Sequence, residues 1–310
     1  MAKHLLQFLR GFFMGSADIV PGVSGGTVAL ILGIYKDLIH NVRGGAHALK
    51  RLVTGDPGGF VDDFRTIDWL FLIPLGAGIA GAFLVLRHPM ETLLVDHAEG
   101  TAAVFAGLVL ASCLLVWQQL TVRDALRMGV LAFVTVAAFV LLGFQSGAIT
   151  DAPIWMFFVT GAIAICAMIL PGISGSFIML MLGMYAGVIT GAPVELLVFL
   201  VGAVIGLAGF SSFLNWLLEH HEQTVLAALL GLMLGSFRVL WPWPNGVGVV
   251  SEEQASVVKG TALHLPDAGQ AIGGVALAAA AFVVTMLIVR FADADQESIG
   301  DELAPAPHNA

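Results

Sequence analysis

The chain has 310 residues, of which 58% are hydrophobic and only 11% are charged. A soluble domain carries about 25% charged residues, so this composition excludes an ordinary soluble protein and is typical of a chain that lies in lipid. The net charge is −9, and no basic patch suggests a nucleic-acid partner. We therefore predict an all-α polytopic membrane protein.

The N-terminal segment begins with Lys3 and Arg10 and leads through small and apolar residues to a Pro-Gly-x-Ser-Gly break at Pro21. Uncharged runs follow it, and most have about the 20 residues that a span needs. The longest run, 152–194, must cross more than once or fold back. The uncharged runs are 69–86, 100–122, 128–150, 152–194, 196–218 and 268–289.

The break recurs 150 residues further along the chain. PGVSGGTVALILGIY begins at Pro21 and PGISGSFIMLMLGMY begins at Pro171, with eight of the 15 positions identical. A second match joins GLVLASCLLVW, from Gly107, to GLMLGSFRVLW, from Gly231, at an offset of 124. Such self-similarity indicates two copies of one unit.

We predict that each copy is a re-entrant helical hairpin followed by three transmembrane helices. The arm 155–170 is too short to cross the roughly 30 Å hydrocarbon core, because 16 helical residues span about 24 Å. The first copy covers 1–148, with its hairpin at about 5–38 and a cytoplasmic loop at about 40–68. The second copy covers 155–291, with its hairpin at about 155–188. An acidic tail, 292–310, is predicted to be disordered.

The distribution of Lys and Arg predicts that the two copies are inverted. Cytoplasmic loops are enriched in these residues, and the N-terminus and the loop 40–68 carry several of them. Arg123 and Arg127 return to that side, whereas the loops 145–153 and 187–195 have neither Lys nor Arg. The second motif therefore starts from the outside, and both termini are predicted to be cytoplasmic.

The motif residues favour an anion site. Pro21 disfavours helix in the residue before it, and the glycines permit tight turns. The helix then restarts near Ser24 or Thr27, which leaves unpaired N–H groups at its N-terminus beside hydroxyl groups. The candidate residues of both copies are Ser24, Gly25, Gly26, Thr27, Ser174, Gly175 and Ser176. The alternative is a glycine-rich hinge that only lets helices pack closely.

Charged residues inside apolar segments are costly and are functional candidates by default. Arg238 could form a forked contact to a phosphate, or it could extend to the membrane interface near Trp241. Asp18 could pair with an arginine or carry a proton, or it could only cap the hairpin turn. Arg10, which enters the first motif segment, is the other candidate for a charge relay. We predict no catalytic residue, metal site or cofactor.

These segments resemble the polyprenyl-phosphate transporter family, formerly a membrane domain of unknown function. The resemblance lies in RGFFMGSADIVPGVSGGTVALILGIY from Arg10, in the second motif, and in GLMLGSFRVLWPWP from Gly231, and it covers about 1–291. It implies a flippase of the cytoplasmic membrane that returns undecaprenyl phosphate from the outer to the inner leaflet for cell-envelope glycan synthesis. By this resemblance the anion-site residues bind the lipid phosphate, and Arg238 is the favoured cation.

Two other functions stay open. Membrane phosphatases acting on undecaprenyl diphosphate have a similar PGxSRS element, but here Gly25 and Gly175 stand at its Arg position, and no acidic pair lies near the motifs. A carrier of small anions is the third hypothesis. Membrane lipids are the expected surroundings, and the sequence leaves the oligomeric state open, a homo-oligomer included.

Overall fold

The computed structural model describes residues 2–19, 24–143, 149, 151–243, 263 and 265–303. Within these ranges the chain forms helices and no strand. The helices are α1 (Ala2–Asp18), α2 (Gly25–Ile31), α3 (Tyr35–Val53), α4 (Pro57–Thr66), α5 (Trp69–Asp96), α6 (Ala98–Gln119), α7 (Ala125–Leu141), α8 (Ile154–Ile169), α9 (Gly175–Met181), α10 (Tyr185–Thr190), α11 (Pro193–Gly235), α12 (Phe237–Leu240) and α13 (Ala268–Leu303).

Four stretches of these helices are long and apolar enough to cross a membrane, and they are Trp69–Leu86, Ala98–Gln119, Pro193–Leu240 and Ala268–Leu287. Their outer faces carry large apolar side chains that no other part of the described chain covers. Leu84, Leu197 and Ile272 are 86%, 62% and 73% exposed. Burying such side chains in lipid is favourable, so the prediction of an all-helical membrane protein is confirmed.

Two segments are more helical than we predicted. The segment 40–68, predicted to be a loop, contains most of α3 and all of α4. α3 has an apolar face that contacts the core, where Ile39 and Ala48 are each 1% exposed, and Asp56 caps α4 by accepting the Gly59 N–H at 2.9 Å.

α13 continues to Leu303, so it includes much of the acidic tail that we predicted to be disordered. Residues 292–299 contain neither Gly nor Pro, and several are good helix formers. Residues 304–310 lie outside the described residues. So do Pro21 and Gly22 of the first motif.

The motif helices α2 and α9 begin 150 residues apart (25 and 175), and so do α3 and α10 (35 and 185). α2 and α9 each have seven residues. Each is followed by a bend with positive φ, 68° at Gly33 and 71° at Gly183, and α3 and α10 then begin at the motif tyrosines. Glycine suits both bends because other residues rarely adopt that backbone region.

The spans after the motifs also correspond. α5 ends before His97 (φ −133°, ψ 41°), and α11 is kinked at His221 (φ −136°, ψ 36°). α1 packs on α5, and α8 packs on α11. A Cβ at Gly11 would overlap the Leu75 carbonyl, and one at Gly161 would overlap the Phe199 carbonyl. The motif helix α2 is therefore connected to the pair α1 and α5, and α9 is connected to the equivalent pair α8 and α11.

The main core surrounds the first motif helix. Val28, Ala29 and Leu30 of α2 belong to a buried cluster with residues of α1, α6 and the last part of α11. A smaller cluster joins Phe177 and Leu180 of α9 to α7 and α12. Each motif helix is therefore held in the protein interior by spans of the same chain.

Candidate functional site

The start of α2, residues 24–27, is here called the first tip. Ser24 is the N-cap, as the sequence predicts, and its Oγ accepts the Gly26 N–H at 3.1 Å. The Gly25 N–H donates to Asp18 Oδ1 at 2.6 Å. The prediction of unpaired amides is therefore wrong for Gly25 and Gly26, because a side-chain oxygen already accepts from each of them.

The break between α8 and α9, residues 168–176, is here called the second tip. The chain turns at Gly172 with φ 86°, and Ser174 is the N-cap of α9 but makes no side-chain capping bond. Its hydroxyl lies 2.7 Å from that of Ser176. Met168 occupies the position equivalent to Asp18 and has no carboxylate, so the N-terminus of α9 lacks the carboxylate cap of α2.

The two tips are in direct contact. Ser24 Oγ donates to the Met168 carbonyl at 3.2 Å, and Thr27 Oγ1 accepts the Gly172 N–H at 2.9 Å. The structure thus joins residues that are about 145 positions apart in sequence. The contact combines hydroxyl groups of the first motif with backbone groups of the second.

This contact is closed. Ser24 and Thr27 are 0% exposed and Ser174 is 6% exposed. A Cβ on Gly26 would lie 2.7 Å from the Ile169 carbonyl oxygen, so the backbones of the two tips pack tightly. An anion would have to separate the tips, because these residues are buried and packed against each other.

Arg238 lies on α12, beside the end of α7. Its guanidinium stands 5.2 Å from the centre of the Phe139 ring, and a Cβ on Gly143 would be 3.0 Å from its Nε. This Nε is buried and has no hydrogen-bond partner among the described residues. The neighbouring Val239 belongs to the same buried cluster as Phe177 of α9, but no described hydrogen bond joins Arg238 to either tip.

The two candidates for a charge relay have separate surroundings. Asp18 caps α2 through Gly25, which is the structural alternative considered for it. Arg10 Nη1 donates to Gln7 Oε1 on its own helix at 3.4 Å. No described hydrogen bond or ion pair joins Arg10 to Asp18.

Sequence reasoning missed one residue of the contact between the two tips. Tyr35 is 3% exposed, and its hydroxyl donates to the Ile169 carbonyl at 3.2 Å. The available signal was the identity of Tyr35 and Tyr185 in the repeated motif, which we interpreted only as part of the repeat.

A cavity of about 390 Å³ lies where α8 and α11 begin, and Asp151, Phe157, Thr190 and Glu195 are among its lining residues. No residue of either tip lines it. Its two carboxylates disfavour a phosphate, so we do not assign the anion site to it.

Apolar helices of spanning length, two broken motifs and a buried polar contact between them define a polytopic α-helical membrane protein. The model of the undecaprenyl phosphate translocase-like family matches residues 14–258. The chain belongs to this family, and the resemblance noted in the sequence is confirmed.

Two relatives carry the name polyprenyl-phosphate transporter. The protein from Vibrio cholerae serotype O1 is 40% identical over 251 residues, which are 78% of this chain and 79% of the relative. The protein from Staphylococcus aureus is 28% identical over 259 residues, which are 76% of this chain and 86% of the relative. No solved structure matches the chain.

Proposed function

We propose that this protein transports a polyprenyl phosphate, and that it returns undecaprenyl phosphate from the outer to the inner leaflet of the cytoplasmic membrane. Two relatives are named polyprenyl-phosphate transporters. The observation that carries the proposal is the contact between the two tips, in which hydroxyl groups at the start of α2 meet the backbone at the end of α8 and at Gly172 in the interior.

The packing around α3 supports an inverted relation between the halves. α5 begins beside α3, where Asn41 Oδ1 accepts the Asp68 N–H at 2.8 Å. The corresponding segment of α11 ends beside α3, where Arg43 pairs with Glu219 at 3.3 Å and Lys36 pairs with Glu222. The two helices therefore run in opposite directions relative to α3. Inverted repeats with broken helices are an architecture of secondary transporters.

Helix lengths support the re-entrant hairpins. α1 and α8 have 17 and 16 residues, about 24–26 Å, and α2 and α9 with seven residues each reach about 10 Å. In our proposal each motif enters the hydrocarbon core, breaks, and returns. Irregular backbone at that depth is tolerated only where protein or water surrounds it. The first tip is buried in protein, and so are Pro171, Gly172, Ser174 and Gly175 of the second tip.

The basic residues support the orientation. α3 and α4 carry Lys36, Arg43 and Arg65, and Gln223, next to the kink in α11, accepts the Thr121 N–H at 2.8 Å from the turn that contains Arg123. Positive residues therefore gather at one end of the bundle, which we assign to the cytoplasm. Both termini lie on that side in our proposal.

We assign the lipid phosphate to a space that opens between the tips. The ligands would be the hydroxyl and N–H groups of Ser24–Thr27 and Ser174–Ser176, with Arg238 as the cation. The start of α9 has no side-chain cap, so its N–H groups are the first available to a phosphate. The Nε of Arg238 is buried and has no hydrogen-bond partner in the described chain, so it is one N–H group that a phosphate oxygen could accept from.

The proposal is tested with purified protein in liposomes that carry undecaprenyl phosphate in one leaflet. We expect the protein to move this lipid across the bilayer, and we expect Ser174→Ala with Ser176→Ala to reduce the rate at least tenfold. Undecaprenyl diphosphate serves as the control substrate. Release of inorganic phosphate from it would indicate a phosphatase instead, and displacement of bound lipid by soluble anions at equal affinity would indicate a small-anion carrier.

A second experiment measures undecaprenyl phosphate at the outer surface of cells. We expect it to accumulate when the wild-type protein is replaced by the Ser24→Ala and Ser174→Ala variant. Normal levels of surface undecaprenyl phosphate in cells that contain only this variant, in a folded form, would contradict the assigned site.

A further inference from the structure

The break after α8 leaves backbone groups that the helix cannot satisfy. The last carbonyls of a helix have no intrahelical donor, and Pro171 has no N–H to offer them. Met168 and Ile169 stand at this end of α8, and Gly172 follows with its own N–H. In a buried, water-poor environment each such group needs a partner.

The first half of the chain provides three partners. Ser24 donates to the Met168 carbonyl and Tyr35 donates to the Ile169 carbonyl, both at 3.2 Å. Thr27 accepts the Gly172 N–H at 2.9 Å. All three side chains are buried, so water does not compete for these bonds.

We propose that Ser24, Thr27 and Tyr35 form a latch that holds the tips closed, and that opening the latch admits the phosphate. This inference rests on the proposed function. Ser24 cannot donate its one hydroxyl hydrogen to the Met168 carbonyl and to a phosphate at the same time. Tyr35 is different because it is not among the phosphate ligands, so its hydroxyl acts only on the closed state. It is a positioning residue that sets the fraction of open molecules.

The second half provides a matched control. Tyr185 corresponds to Tyr35 in the repeated motif, and its hydroxyl has no hydrogen bond within the part of the chain that the structure describes. Phe177 corresponds to Thr27 and has no hydroxyl at all. The latch is therefore made by the first half acting on the second, and Tyr185→Phe removes the same atom without touching it.

The experiment compares Tyr35→Phe, Tyr185→Phe and the wild-type full chain in nanodiscs. Removing one net hydrogen bond from the closed state increases the open fraction roughly two- to tenfold. The apparent Kd for undecaprenyl phosphate falls by the same factor when the open fraction is small. We expect this tighter binding for Tyr35→Phe, and a Kd within about twofold of wild type for Tyr185→Phe. An unchanged or weaker affinity in Tyr35→Phe would overturn the latch, because a residue that only supports the fold would lower stability without tightening binding.

Hydrogen–deuterium exchange tests the latch without any ligand. We expect the peptide that contains Gly172 to exchange roughly two- to tenfold faster in Tyr35→Phe, because its N–H is released whenever the tips separate. Equal exchange in wild type and Tyr35→Phe would overturn the latch whatever the substrate is. Absence of lipid binding by the wild-type protein, with faster exchange in Tyr35→Phe, would instead contradict the proposed function and leave the latch supported.

Discussion

Replacing Asp18 separates its capping role from its charge. Asp18 Oδ1 accepts the Gly25 N–H at 2.6 Å, and a Cβ on Gly25 would lie 2.5 Å from the other carboxylate oxygen. The carboxylate therefore covers the start of α2. Asp18→Ala removes both the acceptor and the charge, whereas Asp18→Asn keeps an acceptor oxygen of similar reach and removes only the charge.

The magnitude follows from the type of bond that is lost. A hydrogen bond to a charged group contributes about 1.5–3 kcal/mol net, and loss of an N-cap acceptor costs about 0.5–2 kcal/mol. Asp18 is half-buried, so we expect Asp18→Ala to lower the free energy of unfolding by about 1.5–3 kcal/mol. Asp18→Asn should cost about half as much, because charge-assisted bonds are roughly twice as strong as neutral ones. Denaturant titration in micelles measures both values.

The second part of this prediction concerns the binding of undecaprenyl phosphate. In the proposed site the carboxylate of Asp18 occupies an N–H group that a phosphate would use, and it repels the phosphate as well. We expect Asp18→Asn to bind undecaprenyl phosphate more tightly than wild type and to change the pH dependence of transport. Weaker binding by Asp18→Asn would refute the competition, and an unaltered pH dependence would remove Asp18 as a proton carrier.

Two further predictions test the cation and the helix packing. Arg238→Ala should abolish transport while changing the unfolding free energy by less than about 1 kcal/mol. Arg238→Lys should restore transport only in part, because lysine lacks the forked geometry of arginine. Transport assays and denaturant titration of both variants measure these effects. Gly78→Ala should lower the unfolding free energy by about 1–3 kcal/mol, since its Cβ would overlap the Phe8 carbonyl, whereas Gly76→Ala two residues away meets no atom within 4 Å and should be neutral or stabilising. Equal effects of the two alanines would contradict the close crossing of α1 and α5.

The positions of the motif helices could be predicted because their signals are local. Pro, Gly and Ser restrict the backbone and cap helices through atoms within a few residues, so a repeated motif specifies a repeated break. Ser24 and Ser174 are both N-caps, as their types indicate. The composition alone was sufficient to predict a membrane protein, because the outer face of a spanning helix must be apolar along its whole length.

The hydrogen-bond partners of the N–H groups in the first tip could not be predicted in this way. Asp18 was interpreted as a relay or a cap, and only the fold shows which N–H group it accepts from. The role of Tyr35 depends on a partner 134 residues away, and no spacing along the chain predicts such a contact. α3 was missed for another reason, since its charged residues hid an apolar face that includes Ile39.

The differences between the two motifs give their tips different hydrogen bonds. Where the first copy has Asp18, the second has Met168, and where the first has Thr27, the second has Phe177. In the first tip, side-chain oxygens accept the Gly25 and Gly26 N–H groups, and Ser24 and Thr27 pair with the backbone of the second tip. The start of α9 has no side-chain cap. Two identical tips would compete equally for one phosphate. In the proposed site, a phosphate would bind first at α9, and displacing Ser24 and Thr27 from the second tip would then couple its binding to the separation of the two halves.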